Sequence, residues 1–332
     1  MYSVARCATL GAAQRALLSI AQRRTTVALM KGRPLSLASD LLLLLTSLIW
    51  GLAFVAQRVG MEHVGPFTYN AVRFALGSLC LLPVLGVSRS RVPSSAVAPS
   101  LPPLSAGVLA GVILFGGASL QQIGLVFTSA GKAGFITGLY VVLVPLAGLL
   151  WGQHVGWTAW TGAFACLAGL FLLSFNERLG IEKGDLLVLL GAFFWAAHVQ
   201  LIGWLSPRTR PVKLACIQFA TCALLSAGTA FAAERPSVEA ILGAAGPILY
   251  GGLLSVGVAY TLQVVAQRTA KPTHAAIILS MESVFAVFGG SVLLGERLGG
   301  RGIAGCSFIF AGVMIAQLPV FLRAAAKAGA VP

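Results

Sequence analysis

The chain of 332 residues is far more apolar than a water-soluble domain, since 58% of its residues are hydrophobic, 10% are charged and the mean hydropathy is +0.90. Its 23 lysine and arginine residues outnumber the 9 aspartate and glutamate residues, but they separate apolar runs instead of forming a basic stripe, so we expect no nucleic-acid partner. The composition excludes an ordinary soluble fold and predicts an integral membrane protein.

Residues 1–38 form a basic arm that contains no acidic residue and is rich in alanine, serine and threonine. Three explanations fit this composition: a targeting presequence, a basic cytoplasmic tail, or a stretch that precedes the true start. The third is favoured by Met30-Lys31-Gly32-Arg33, which resembles a bacterial N-terminus directly before the first apolar run. We therefore leave the arm, as disordered or untranslated chain, out of the fold prediction.

From residue 40 onward, apolar runs of about 20 residues recur between charged, proline or glycine residues, and each is long enough to cross the hydrocarbon core as a helix. Short linkers leave no room for an extramembrane domain, and residues 323–332 are predicted to be a cytoplasmic tail. The fold class is all-α with ten transmembrane helices. The predicted spans are Asp40–Val59, Phe67–Val87, Leu104–Phe127, Lys132–Trp151, Val155–Phe175, Asp185–Trp204, Val212–Ala233, Ile241–Val265, Pro272–Leu294 and Gly302–Leu322.

The distribution of lysine and arginine between the loops predicts the orientation of the chain. More of these residues lie in the N-terminal arm, the even-numbered loops and the tail than in the odd-numbered loops. Because cytoplasmic loops carry the excess of basic residues, both termini are predicted to be cytoplasmic. We expect a multi-pass protein of the cytoplasmic membrane.

An internal repeat divides the chain into residues 40–175 and 185–322. At an offset of 145 the matched pairs are Asp40 with Asp185, Trp50 with Trp195, Pro66 with Pro211, Phe74 with Phe219 and Leu79 with Leu224. At an offset of 143, near the end of each half, they are Gly152 with Gly295, Gln153 with Glu296, Gly162 with Gly305, Ala168 with Ala311 and Gly169 with Gly312. Each half has five spans, an odd number, so the second half must enter the membrane from the opposite side, as an inverted repeat.

Several short motifs, in this order and duplicated, resemble the EamA-type drug/metabolite transporters. They are Ile49-Trp50-Gly51-Leu52-Ala53-Phe54, Pro66, Arg73-Phe74, Gly134-Phe135-Ile136-Thr137-Gly138-Leu139, Val144-Pro145, Glu282-Ser283-Val284-Phe285-Ala286 and Leu294-Gly295-Glu296-Arg297. The resemblance covers residues 40–322. It implies two EamA-like domains of five helices each, a cytoplasmic-membrane location and carrier-type transport of small organic solutes, with export as the expected direction.

Glu282 is the acidic residue that lies deepest in a predicted span, ten residues from its start. Inserting a charged side chain at that depth costs on the order of 2.5 to 3.5 kcal/mol, so such a group faces an aqueous cavity, pairs with another group or is protonated. Glu282 is therefore a candidate for proton coupling or for recognition of a cationic group. The alternative is a neutral carboxylic acid that bonds a neighbouring helix and only stabilises the fold.

A set of polar and aromatic side chains also lies within the spans and is expected to point inward, because lipid offers no hydrogen-bond partners. Trp50 and Trp195, a repeat pair near the midplane, are predicted to form opposing walls of one solute cavity; the alternative is that each only packs within its own half. Gln121 and Gln122 are adjacent, so they cannot both face the cavity. The predicted substrate-binding residues are Trp50, Gln57, Gln122, Tyr140, Trp195, His198, Tyr260, Gln263 and Glu282.

Arg73 and His198 each allow two interpretations. Arg73 lies about seven residues into the second span and keeps its proton. It could contact an anionic group of the substrate or pair with Glu282; the favoured alternative is a structural side chain that snorkels or bonds backbone carbonyls, since the repeat places Gln218 at the equivalent position. His198 is a second proton-handling candidate or, more simply, a hydrogen-bonded imidazole of the core.

The remaining function classes have weaker support in the sequence. A membrane-embedded enzyme needs a nucleophile with its base, a metal cluster or an acidic diphosphate site, and the sequence shows none of these patterns. The six cysteines have no Cys-x-x-Cys spacing, and no P-loop occurs, so we expect no metal, cofactor or ATP-driven step. A passive channel remains the other alternative. The expected partners are a small solute and the lipid bilayer, with the protein as a monomer or homodimer.

Overall fold

The computed structural model of the protein describes residues 37–87, 102–128, 130–174, 183–293 and 299–328. Residues 1–36, nearly all of the basic arm, lie outside this part of the chain. The same holds for residues 329–332 at the end of the predicted tail.

Within the described ranges every regular element is a helix and no strand occurs. The first half contains α1 (Leu37–Gly60), α2 (Pro66–Val87), α3 (Pro103–Phe127), α4 (Ala130–Gly138), α5 (Tyr140–Leu150) and α6 (Trp157–Ser174). The second half contains α7 (Lys183–Leu205), a 3₁₀ turn (Ser206–Arg208), α8 (Pro211–Ala233), α9 (Val238–Gly243), α10 (Ala245–Leu249), a π-helix (Tyr250–Tyr260), α11 (Thr261–Ala266), α12 (Pro272–Leu279), α13 (Met281–Leu293) and α14 (Gly300–Ala328). The predicted all-helical class is confirmed.

In the described chain, eight helical stretches are long and apolar enough to cross a membrane. Two shorter apolar helices, Ile136–Leu150 and Trp157–Leu172, correspond to the predicted fourth and fifth spans. The last helix is longer than predicted, since α14 continues to Ala328, past the predicted end at Leu322. The total of ten crossings stays a prediction.

Two of the predicted spans, the fourth and the ninth, are each divided into two helices near their middle. The divisions fall at Leu139, between α4 and α5, and at Ser280, between α12 and α13. The hydroxyl group of Ser280 donates to the carbonyl of Ile277 at 2.7 Å, a local bond that competes with regular helix geometry. Because of these divisions, Tyr140 and Glu282 each lie at the start of a new helix.

Two glycines, one in α1 and one in α3, let helices from opposite halves approach each other closely. At Gly51 of α1, a Cβ atom would lie 2.6 Å from both the backbone oxygen of Glu282 and the Cβ of Phe285. At Gly117 of α3, a Cβ atom would lie 3.2 Å from the indole ring of Trp195. The missing side chains therefore bring α1 against α13 and α3 against α7, which positions Glu282 and Trp195 in the centre of the molecule.

The centre of the core is formed by α2 and α8, the second helix of each half. Phe74 and Phe219, a repeat pair, are fully buried there with their ring centroids 6.4 Å apart. The π-helix packs against α1 and α2. A π-helical segment is wider than an α-helix and commonly occurs at functional sites, and this one carries Ser255 and Tyr260.

Candidate functional site

A cavity lies between helices of the two halves. The helices α1 to α5 contribute to its wall from the first half, and α7, the π-helix, α11, α12 and α13 contribute from the second. The lining residues are Trp50, Phe54, Gln57, Arg73, Gln121, Thr137, Tyr140, Trp195, His198, Val199, Ser255, Tyr260, Gln263, Leu279 and Glu282. The wall is thus rich in aromatic and amide side chains, and its charged members are Arg73 and Glu282.

The structure brings nine of the ten residues singled out in the sequence to this cavity. They are Trp50, Gln57, Arg73, Tyr140, Trp195, His198, Tyr260, Gln263 and Glu282. That they bind a solute stays a prediction.

Gln122 is the exception, because its neighbour Gln121 lines the cavity instead. Consecutive residues of a helix point about 100° apart, so only one of the two glutamines can face the cavity. The Gln122 side chain is fully buried, and none of the described residues bonds its amide group. A sequence signal for Gln121 exists: Gly117 and Gly124 lie four residues before it and three after it, on the face of α3 that contacts α7.

Sequence reasoning missed five further lining residues, Phe54, Thr137, Val199, Ser255 and Leu279. Phe54 and Val199 follow the two tryptophans by one helical turn and are themselves a repeat pair at the offset of 145, so the repeat contained the signal for them. Thr137, Ser255 and Leu279 belong to the divided or π-helical spans. The direction in which these three side chains point depends on irregular helix geometry, which hydropathy does not reveal.

Glu282 is 4% exposed and lies in the first turn of α13. The phenol group of Tyr140, from the first half, donates to Glu282 Oε1 at 3.2 Å. The carboxyl group is therefore held by one hydrogen bond across the two halves.

Arg73 is 2% exposed, so its side chain does not snorkel to the membrane surface. Its Nε donates to Asn70 Oδ1 at 2.9 Å, and its guanidinium carbon lies 5.2 Å from the ring centroid of Tyr69 and 4.9 Å from that of Phe74. The side chains of Arg73 and Glu282 form no ion pair, although both line the cavity. Pairing with Glu282, one of the alternatives for Arg73, is not formed here: the guanidinium group is held by its own helix and by the faces of two rings.

Tyr260 is the centre of the aromatic wall. Its ring centroid lies 4.5 Å from that of Trp50 and 6.2 Å from that of Trp195. The tryptophans of both halves therefore contact the same tyrosine. The indole N–H of Trp50 donates to the backbone oxygen of Ser255 at 3.2 Å, and that of Trp195 donates to Gln121 Oε1 at 2.9 Å. Each indole is thus oriented by a bond to the other half of the chain.

His198 is fully enclosed and bonds Gln218 Oε1 through Nε2 at 3.0 Å. Its ring also stands edge-on to Trp195 and Tyr260, with centroids 6.3 and 6.1 Å away. These contacts hold the imidazole in the core, and both the structural role and the proton-handling role of His198 stay predictions. Gln218, the repeat equivalent of Arg73, serves here as the partner of this histidine.

The two aspartates of the repeat hold opposite helix ends together. Asp40, in the first turn of α1, accepts a bond from His274 of α12 at 2.9 Å, with side chains 10% and 8% exposed. Asp185, in the first turn of α7, accepts a bond from the hydroxyl group of Thr128, which follows α3, at 2.6 Å. Each aspartate therefore joins the first helix of its own half to a segment of the other half.

Comparison with known proteins places the chain among transporters. A model of the EamA-like transporter family matches residues 37–175 and 182–317. An "Uncharacterized transporter" of Archaeoglobus fulgidus is 31% identical over 286 residues, which cover 86% of this chain and 87% of that protein. The "Uncharacterized inner membrane transporter YedA" of Escherichia coli K12 is 26% identical over 280 residues, 81% and 85% of the two chains. A solved crystal structure with 20% identity has the same fold, with a TM-score of 0.69 over 86% of this chain and 98% of that one.

Proposed function

Because the chain belongs to the EamA-like transporter family, we propose that it is a secondary carrier that moves a small organic solute across the cytoplasmic membrane by alternating access. The family match confirms the resemblance drawn from the sequence motifs. The observation that carries the proposal is the cavity at the junction of the two halves, lined by polar and aromatic side chains from both. Polar side chains within a membrane are costly, so a group of them around a cavity favours a solute pathway.

The proposal requires that the two halves be inverted copies, and reciprocal contacts between them support this. At Gly162 a Cβ atom would lie 2.6 Å from the backbone oxygen of Gly312, and at Gly169 one would lie 2.5 Å from that of Gly305. The offset of 143 maps Gly162 onto Gly305 and Gly169 onto Gly312, so each contact is the image of the other under exchange of the halves. A two-fold relation of α6 with α14 accounts for this pattern.

Such a two-fold relation gives alternating access a mechanical basis. Two similar units can exchange their conformations, which produces states of comparable energy that open to opposite sides of the membrane. We propose that the bonds of Asp40 with His274 and of Asp185 with Thr128 close opposite ends of the cavity in turn. Both bonds are formed in the conformation described here.

Inversion is tested by labelling with a membrane-impermeant maleimide in a cysteine-free background. Glu62 and Arg210 are exposed residues in the loops after α1 and α7, the first helices of the two halves. With both termini cytoplasmic, a cysteine in place of Glu62 is expected to react from outside intact cells, whereas one in place of Arg210 reacts only after permeabilisation. Labelling of both from the same side rejects the inverted repeat and, with it, the carrier mechanism.

Transport itself is tested in proteoliposomes that contain the purified protein. A carrier is expected to give saturable uptake that accelerates when unlabelled solute is present on the opposite side. A channel, the alternative function, gives flux that neither saturates nor responds to solute on the opposite side.

We also propose that Glu282 couples transport to protons and that export is the physiological direction. Support for the first comes from the enclosed position of the carboxyl group, in the cavity and in contact with Tyr140 of the other half. Glu282→Gln keeps the shape of the side chain and removes its proton exchange. In proteoliposomes under an imposed pH gradient, the variant is expected to exchange solute but not to accumulate it. Accumulation equal to that of the unmodified protein eliminates the coupling role.

A further inference from the structure

A group of buried polar side chains lies where α2 packs along α8, beside the cavity. This α2–α8 cluster consists of Asn70, Arg73, Cys222 and Ser226, and the exposed fraction is 2% for Arg73 and 0% for the other three. Among the four, only Arg73 also lines the cavity. The carrier mechanism assigns no task to the others.

The contacts between α2 and α8 bring the members of this cluster to the same level. The hydroxyl group of Ser78 donates to the backbone oxygen of Cys216 at 3.1 Å, and the ring centroids of Phe74 and Phe219 lie 6.4 Å apart. Residue numbers therefore fall along α2 as they rise along α8, so the two helices run antiparallel. The next turn in the same direction carries the α2–α8 cluster on the facing sides of both helices.

Arg73 is a buried cation for which the described residues supply no anion. Its Nε donates to Asn70 Oδ1 at 2.9 Å, and no described residue accepts a bond from its two terminal nitrogens. The carboxylate of Glu234, at the end of α8, already accepts two backbone N–H groups of α2, and Glu282 forms no ion pair with Arg73. Because a guanidinium group keeps its proton and a buried charge costs several kcal/mol, a counter-ion would stabilise Arg73.

The same cluster holds further donors whose bonds are not made within the described chain. The Nδ2 group of Asn70 is buried without a hydrogen-bond partner, and it is fixed beside the guanidinium group because Arg73 binds the oxygen of the same amide. The buried hydroxyl group of Ser226 has the thiol of Cys222 as its polar neighbour and no other partner, and Cys222 interacts electrostatically with Arg73. Buried polar groups are bonded in nearly all proteins, so such donors indicate the place of a water molecule or an ion.

An anion fits these groups better than a water molecule does. A buried water molecule both accepts and donates hydrogen bonds, whereas the N–H groups of Arg73 and Asn70 can only donate. Water would also leave the guanidinium charge without compensation. The close packing of α2 along α8 favours a small ion over an organic one.

We propose that the α2–α8 cluster binds a small monovalent inorganic anion, chloride, through the terminal N–H groups of Arg73, the Nδ2 group of Asn70 and the hydroxyl group of Ser226. The ion is a fixed counter-ion that ties α2 to α8 and is not the transported solute. This inference goes beyond the carrier function and does not depend on it, since binding of the ion is measured without transport.

Thermal unfolding of the purified protein tests the site, because a ligand that binds only the folded state raises the melting temperature. Sodium chloride is compared with sodium gluconate at equal ionic strength, since gluconate is too large for the cluster. Chloride is expected to raise the melting temperature by about 3 °C, with saturation, and bromide should replace it. Broadening of the chloride NMR signal by the protein, reversed by bromide, measures the binding directly. Equal melting temperatures in chloride and gluconate, without broadening, overturn the proposal.

Variants locate the ion. Arg73→Gln is expected to abolish the effect of chloride, and Arg73→Lys, which keeps the positive charge, should retain part of it. Ser226→Ala leaves that charge in place and should weaken chloride binding about fivefold, as for the loss of one hydrogen bond. Thr229→Ala on the same helix is the matched control, because this hydroxyl group bonds the backbone oxygen of Leu225 and should not affect the ion.

Two results place the ion elsewhere and overturn the assignment. The first is a chloride effect that survives Arg73→Gln. The second is equal chloride affinity of Ser226→Ala and Thr229→Ala, a comparison that stays decisive if Arg73→Gln does not fold. Neither result bears on the carrier function, which saturable counterflow tests separately.

Discussion

The two halves of the molecule share the scaffold of the cavity but differ in the chemical groups that they present to it. Trp50 and Trp195 contact the same tyrosine, and each indole is bonded across to the other half. Around them, however, Arg73 of the first half corresponds to Gln218 of the second. The repeat thus specifies which positions line the cavity, and the residue differences between the two halves specify which charges lie there.

The same contrast holds at the ends of the cavity. In the proposed mechanism, one end is closed by the bond of Asp40 with an imidazole and the other by the bond of Asp185 with a hydroxyl group. Asp185 has a further contact besides its bond to Thr128, so loss of one partner should loosen the contact at Asp40 more than the contact at Asp185. Four substitutions test how the two halves are held together, from the largest expected effect to the smallest.

Replacing His274 by alanine should have the largest effect, because it leaves the buried carboxylate of Asp40 without its partner. Removal of one member of a buried pair costs about 3 kcal/mol or more. Hydrogen exchange of the backbone amides at the start of α1 and in α12 is expected to accelerate accordingly, with little change at the start of α7. His274→Gln, which retains a donor, serves as the control; equal exchange in both variants contradicts the assignment of this bond as the closing contact.

Gly51→Ala should destabilise the fold by about 2 kcal/mol, because overpacking in a filled core costs about 1 to 3 kcal/mol. The new Cβ would lie 2.6 Å from the backbone of α13 at Glu282, so the two helices must separate. Thermal unfolding of the purified protein measures the effect. Gly228→Ala in α8 is the control, since a Cβ there meets nothing within 4 Å. An unchanged melting temperature for Gly51→Ala shows that the contact of α1 with α13 is looser than described.

Thr128→Val removes the donor to Asp185 at the other end of the cavity and should cost about 1.5 kcal/mol, the lower range for hydrogen bonds to a charged group. Amide exchange at the start of α7 is expected to accelerate, by less than the change that His274→Ala produces at the start of α1. Thr128→Ser keeps the hydroxyl group and should behave like the unmodified protein. A larger effect for Thr128→Val than for His274→Ala reverses the comparison of the two ends.

Glu234→Ala should have the smallest effect, about 1 kcal/mol, as for the loss of a helix cap. The carboxylate of Glu234, at the end of α8, accepts bonds from the backbone N–H groups of Phe67 and Thr68 at the start of α2, each at 2.8 Å. The start of α8 lacks a side-chain cap of this kind. Thermal unfolding checks the value against Glu239→Ala, an exposed glutamate; a loss for both variants alike indicates a general charge effect instead of capping.

Hydropathy and the repeat predicted much of this fold from the sequence. Lipid requires apolar helices, and residues matched by the repeat occupy equivalent positions in the two halves. The tryptophan pair illustrates this: its spacing placed both residues near mid-span, and both line the cavity. Glu282 was identifiable because a carboxyl group within an apolar span is costly and usually has a function. Hydropathy did not separate Gln121 from Gln122, whereas Gly117 and Gly124 mark the helix face on which Gln121 lies.

The sequence by itself determined the helical class, the duplication and the set of side chains too polar to face lipid, because each of these follows from the cost of exposing polar groups to hydrocarbon. Only the tertiary structure decided which of them meet. The partnership of Asp40 with His274, the absence of a pair between Arg73 and Glu282 and the divisions at Leu139 and Ser280 depend on contacts between distant segments. Local periodicity contains no information on those distances, because packing between helices fixes them.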